Sequence, residues 1–210
     1  MKKELRSFDF EVRAQTDEEY GHILTGRPIV YGSETEIYNP IRGKYIEIID
    51  EGALAESNLR DVRFLINHNT DMIPLARSRN NNENSTMQMI VDEFGMSIRV
   101  NLDVENNAEA RSLYSAVERG DISGMSFMFT VGEDKWENAR SEMPTRHIRS
   151  IDRVMEVSAV TFPAYEATSI QTRGLSEALD SAWESLDSEI ANLDEIDKRK
   201  QKIRILMEVS

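Results

Sequence analysis

Ile122 to Val131, ISGMSFMFTV, is the stretch on which the reading of the fold turns. It is a short apolar run opened by Asp121 and rich in aromatic residues, which predicts a buried strand. Just before it, Asn106 to Arg119 predicts a helix. Ala108, Leu113, Ala116 and Val117 fall near one face, and Gly120 is a natural C-terminal stop. After it come a polar insert, Gly132 to Thr145, expected to be mobile, and two further β runs. These are His147 to Ile151 and Val154 to Phe162, with Pro163 ending the second. Alternation in the second run puts Val154, Glu156, Ser158 and Val160 on one face, and Met155, Val157 and Ala159 on the other.

Upstream, Asp61 to Asn67 (DVRFLIN) predicts a strand that runs straight into His68. Met87–Val91 and Met96–Val100 predict a hairpin around Asp92-Glu93-Phe94-Gly95, where Gly95 can take positive φ. The Asn80–Asn84 stretch predicts an exposed loop. Earlier still, Lys44 to Ile49 alternates, Ala53-Leu54-Ala55 suits a short helix, and Pro28 to Gly32 is an apolar run ended by glycine. Residues 1 to 27 read as an exposed arm with strand character, because Phe8, Phe10 and Val12 alternate with polar partners. Beyond Gly174 the period changes. Leu175, Leu179, Trp183, Leu186, Ile190, Leu193 and Ile196 recur at helical spacing and predict an amphipathic C-terminal helix with a narrow seam. That helix either packs on its own domain or pairs with a partner. The expected class is α+β, mostly β, with a domain over 1–172 and a helical tail over 173–210.

Composition excludes several functions. The 210 residues include no Cys, so neither a disulfide, a thiol nucleophile nor a thiolate metal site is available. Three histidines without an HExxH motif speak against a metalloenzyme, and no GxxxxGK[ST] or GxGxxG motif points to nucleotide chemistry. No cofactor is expected. A formal charge of -13 argues against broad contact with a nucleic-acid backbone. No apolar run is long enough to cross a bilayer and no ordinary secretory signal opens the chain, so the cytosol is the simplest compartment.

Three side chains carry candidate chemistry: His68 in LINHN, Ser126 in ISGMSFMF and Glu156 in MEVSAVTFPA. A hydroxyl, an imidazole and a carboxylate fixed on strands are the parts that activate a serine. Singly, each has a plainer explanation. A strand-end histidine is commonly a loop residue. A strand serine commonly bonds a neighbouring backbone group. A carboxylate in an apolar strand lies on a wet face or is paired. His147 and Asp152, earlier on the Glu156 side of the chain, are rival third members.

Five segments in order carry a resemblance: GRPIVYGSETEI, YIEIIDEGALAES, FLINHNTDMIPLARS, ERGDISGMSFMFTV and RSIDRVMEVSAVTFPAYEAT. Together, over about residues 25 to 172, they resemble the prohead serine proteases of tailed phages. The resemblance implies His68 as base, Ser126 as nucleophile and Glu156 as the acidic partner. Met128 stands where family members often carry glycine. The family is thought to share the mixed, largely antiparallel β-barrel ringed by helices of the herpesvirus maturation proteases. Those enzymes use a second histidine, which keeps His147 in play. An oxyanion hole is required, and the loop holding Arg77 is a candidate for it. The implied role is an endopeptidase inside the assembling prohead in the host cytoplasm. Its partners would be the scaffold and the major capsid protein, with self-cleavage and a homo-oligomer also expected. The alternative is a non-catalytic scaffold protein that oligomerises through its terminal helix.

Overall fold

The computed structural model describes residues 3–8, 12–18, 21–39, 41–161 and 173–208. Eleven strands and two helices follow in chain order. They are β1 (Lys3–Phe8), β2 (Arg13–Asp17), β3 (Gly21–Val30), β4 (Thr35–Asn39), β5 (Gly43–Ile49), β6 (Asp61–Ile66), β7 (Ala76–Arg79), β8 (Met87–Asp92) and β9 (Gly95–Leu102). Then come α1 (Ala108–Glu118), β10 (Gly124–Glu137), β11 (Thr145–Val160) and α2 (Arg173–Glu208). The chain is α+β and mostly β.

A seven-stranded mixed sheet runs β1-β10-β11-β5-β4, with β6 also on β11 and β7 on β6. A four-stranded sheet runs β2-β3-β9-β8. The large sheet has edges at β1 and β4 and the small one at β2 and β8, so neither sheet closes on itself among the described residues. The large sheet is organised by the β10–β11 hairpin. β10 pairs antiparallel along β11, while β5 and then β6 take its other edge in parallel. Phe127, Phe129, Val154, Val157, Ala159, Phe64 and Val62 project from one face into the main core with α1 and the small sheet.

Several expectations hold. The β8–β9 hairpin forms, and Gly95 at its turn takes φ +130. A Cβ there would lie 2.0 Å from the Ile29 carbonyl oxygen. Asn107 caps α1 by accepting from the backbone N–H groups of Glu109 and Ala110.

Others are corrected. The N-terminal stretch is no exposed arm. β1 pairs with β10 and buries Glu4, Leu5 and Arg6. Phe10, Phe162 and Pro163 lie outside the described residues, as do the side chains of Phe8, Leu175 and Leu179. Ala53–Ala55 form turns, not a helix. The first part of the polar insert, to Glu137, is strand, because Lys135 and its neighbours find ladder partners on β11 whatever their polarity. The two runs after it are one 16-residue strand.

The alternation expected along β11 also fails at one point. Met128 pairs with Glu156 but Phe129 pairs with Val154, leaving Met155 as an extra residue in a β-bulge. The bulge turns Val154 into the core beside Val157, while Glu156 and Ser158 take the opposite face.

The tail helix packs on its own body. Ala182, Trp183 and Leu186 are buried against Tyr45, Trp136 and Ile37. Trp136 donates to the Ser185 hydroxyl, and Arg140 reaches Asp194 and Asp197. Farther along, Ile196 and Ile203 are exposed.

Candidate active site

β6 ends in two consecutive non-glycine residues in the left-handed region, Asn67 (φ +49) and His68 (φ +56). Such residues each cost about 1–3 kcal/mol, so the surroundings must hold them. Two clamps do so. Outside, the Asn67 amide accepts from the Thr161 backbone N–H at 2.9 Å and donates to the Thr161 hydroxyl at 3.0 Å. Inside, the His68 backbone N–H donates to Ser158 Oγ at 3.1 Å. The turn lays His68 against β11, with Nδ1 2.5 Å from Glu156 Oε1. Glu156 Oε2 accepts from the Ser158 hydroxyl at 2.7 Å. The Glu156 side chain is 3% exposed.

A carboxylate only accepts, so Nδ1 carries the proton shared with Glu156, and the lone pair of the uncharged imidazole is then at Nε2. That nitrogen is buried and has no hydrogen-bond partner. A buried acceptor left open in an otherwise satisfied cluster is uncommon, and it is what a general base needs.

Ser126 stands directly opposite Ser158 on the neighbouring strand, and Met128 stands opposite Glu156. Directly paired residues share a face, with Cβ atoms about 4.5–5.5 Å apart. Ser126, Ser158, Glu156 and the His68 ring are thus gathered on one face of the sheet, away from the main core. Ser126 is fully buried and its hydroxyl donates to the Arg6 carbonyl of β1 at 2.7 Å. His68 and Glu156 are therefore in contact, and Ser126 is one strand away with its proton turned to β1.

The rival residues are placed elsewhere. His147 Nδ1 is 2.8 Å from Asp50 Oδ1, nine residues before Glu156 on the same strand, or about 30 Å at the usual rise. Asp152 is exposed beyond the bulge, near Gly132. Arg77 lies on β7, not on a loop, and its guanidinium grips Asp61 at 2.6 and 2.9 Å.

The model of the family described as "Caudovirus prohead serine protease" matches residues 8–181. The chain belongs to that family. A prohead protease of Enterobacteria phage HK97 is 31% identical over 121 residues, covering 57% of this chain and 48% of the relative. The chain thus spans about half the length of the curated relative it matches. The solved structure of the bacteriophage T4 capsid assembly protease, gp21, is 11% identical, covers 76% of this chain and 99% of that one, and superposes with a TM-score of 0.35.

Met128 stands opposite Glu156 across the hairpin. A second buried polar cluster was not legible in the sequence. Arg6 binds Glu47 through Nε and, at 2.6 Å, through Nη2, and it binds Glu4 at 2.7 Å. Arg146 binds Glu4 at 2.7 Å, Glu47 at 3.1 Å and Asp134 at 2.6 Å. Burial alone would raise the Glu47 carboxyl, but Arg6 and Arg146 override it and hold it below its usual range.

Clefts of about 320 Å³ at His22, Thr86 and Asn101 and about 200 Å³ at Asp134 and Arg146 include none of His68, Ser126 or Glu156. Geometry, not concavity, singles out the site. Among its described residues the chain has no group of three or more His, Asp or Glu side chains arranged to hold a metal.

Proposed function

We propose that this chain is a serine endopeptidase of phage head maturation, with His68 as general base, Ser126 as nucleophile and Glu156 as the group that orients His68. The observation that carries the reading is the His68 ring, fixed through Nδ1 by Glu156 with Nε2 unpartnered, on the face that also bears Ser126. For attack, the Ser126 hydroxyl leaves the Arg6 carbonyl and turns toward Nε2, a change between staggered χ1 wells. His68 takes the proton as Oγ adds to a peptide carbonyl, and the imidazolium is stabilised by Glu156. The same proton then goes to the leaving amine, and water repeats the cycle on the acyl-enzyme.

The finer likeness to a herpesvirus-type barrel rests on the family resemblance. Residues 1–172 would carry the chemistry, with the helix over 173–210 serving recruitment. The substrates are the scaffold and the scaffold-like part of the major capsid protein. The place of action is the interior of the assembling prohead in the host cytoplasm. Self-cleavage and assembly into a homo-oligomer belong to the same reading. The cofactor-free mechanism needs no more than these side chains and an oxyanion site.

The test is fluorophosphonate labelling of wild type beside Ser126→Ala, with the labelled peptide identified by mass and self-cleavage followed on a gel. Labelling on the Ser126 peptide that vanishes in the variant supports the reading. Equal labelling of both chains overturns it.

A further inference from the structure

The structure assigns Ser158 as a positioning residue of the site, holding His68 by its main chain and its ring at once. This rests on the reading of His68 and Glu156 given above. Ser158 Oγ accepts the His68 backbone N–H at 3.1 Å while its proton goes to Glu156 Oε2 at 2.7 Å. Glu156 Oε1 then meets His68 Nδ1 at 2.5 Å. The result is a closed ring of three hydrogen bonds: His68 main chain, Ser158 hydroxyl, Glu156 carboxylate and His68 imidazole.

Each link does something distinct. A carboxylate bonded to one ring nitrogen can still rotate about its terminal torsion, which is broad for glutamate. The Ser158 proton on the second oxygen fixes the carboxylate plane, so that Oε1 stays on Nδ1. The accepted N–H fixes the left-handed turn that carries the ring. Serine suits the position because a hydroxyl donates once and still accepts. Ser158 is fully buried, so both bonds are shielded from bulk solvent. The position faces Ser126 across the hairpin, which ties the clamp to the serine strand by the register itself.

The outer clamp supplies an internal control. Asn67 and Thr161 hold the same turn without touching the carboxylate. A role confined to turn structure would make the inner and outer clamps equivalent. A positioning role makes them different.

The experiment measures fluorophosphonate labelling of the full chain as a function of probe concentration, which separates the saturating rate from half-saturation. Ser158→Ala is expected to lower the saturating rate by about 10–100-fold, the worth of hydrogen bonds to a charged group, with half-saturation little changed. The far-downfield Nδ1 proton of His68 is expected to disappear from the NMR spectrum. Ser158→Thr, which keeps the hydroxyl, is expected to restore most of the rate and the proton signal. Thr161→Ala, which removes the hydroxyl of the outer clamp and keeps its backbone N–H, is expected to label close to wild type. Should Ser158→Ala fail to fold, Ser158→Thr against Ser158→Val isolates the hydroxyl at constant shape, and Val is expected to be slower by the same factor.

The inference is overturned if Ser158→Ala labels at the wild-type rate with the proton signal intact. Equal rates for Thr and Val, or an equal loss in Thr161→Ala, overturn it too. Ser126→Ala separates the two levels. Labelling that survives Ser126→Ala removes the whole site assignment, whereas labelling that depends on Ser126 but ignores Ser158 removes only the positioning role.

Discussion

The large sheet buries two polar clusters, and they are built to opposite rules. Glu4, Arg6, Glu47 and Arg146 pair off as a network in which each guanidinium meets carboxylates from two or more strands. It ties β1, β5 and β11 together and leaves no charge uncompensated. The His68–Glu156–Ser158 cluster, on the far side of the β10–β11 hairpin, satisfies every oxygen and then stops, leaving His68 Nε2 open. Burial and short hydrogen bonds are common to both, so neither property marks a reactive site. What separates them is the unpartnered ring nitrogen of His68. A closed network specifies the fold, while on the proposed function the open one keeps a lone pair for the Ser126 proton.

The sharpest way to break this contrast is to damage each cluster and measure both activity and stability. Glu156→Gln keeps the shape but can present an amide N–H to the ring, forcing the wrong tautomer. The expected loss of Ser126 labelling is on the order of 10³–10⁴-fold, as for a triad whose acid becomes an amide, with little change in unfolding midpoint. Glu47→Gln should do the reverse. It removes one charge from a buried network and leaves Arg6 and Arg146 undercompensated, which should destabilise the chain by about 3–5 kcal/mol. Chemical denaturation checks the loss, and the labelling rate of the folded fraction should stay near wild type. A Glu156→Gln chain that labels normally, or a Glu47→Gln chain that unfolds no sooner, would erase the distinction.

The two clusters also differ in how far the sequence reveals them. Ser126 and Glu156 stand out because each interrupts an apolar run and His68 because it follows one, and the Asn-His-Asn context suits a left-handed turn after a strand. The ionic network does not stand out. Glu4 and Arg6 look like ordinary surface charges, and only pairing of β1 with β10 brings them to residues more than forty positions away. Long-range pairing also explains the other misreadings. The polar end of β10 becomes strand because β11 supplies a ladder, and the bulge at Met155 breaks an alternation that nothing local marks. The β8–β9 hairpin and α1 were legible because their turn and cap residues act locally. Ser158 was read only as a face neighbour of Glu156. Its spacing of two was the signal for a shared role, and the bond to the His68 main chain was not visible without the turn.

The tail helix sharpens the comparison from outside. Trp183 is buried edge-on against Tyr45, with ring centres 5.4 Å apart, and Arg42 stacks over it at 5.1 Å. This contact covers the side of the sheet that carries the ionic network. Trp183→Ala should cost about 3 kcal/mol, the lower end for removing a buried aromatic. Amide exchange should rise along α2 and β1 first, while the His68 turn keeps its protection. Equal loosening of both regions would show that the two clusters form one cooperative unit.

The smallest effect concerns a pair that is neither closed in the core nor reserved for chemistry. Arg27 bonds both oxygens of Asp92 at 2.6 and 2.7 Å, and the Phe94 backbone N–H bonds the same carboxylate at 2.9 Å. The hydrogen bonds from Arg27, chiefly, bring the Asp92 carboxyl down to about 2. A depressed carboxyl binds fewer protons when folded, so its contribution is fully present above the unfolded value, about 3.9, and is lost as pH falls toward about 2. Asp92→Asn should therefore lower the unfolding midpoint slightly at pH 5 and above, and the two curves should converge as pH drops through that window. Because the pair lies in solvent, added salt should shrink the gap further. A gap that stays undiminished from pH 5 down to pH 2, or grows with salt, would mean that Asp92 acts through the hairpin turn's geometry and not through its charge. Pairing with good geometry would then be worth little at the surface, and burial would remain the factor that gives the other two clusters their weight.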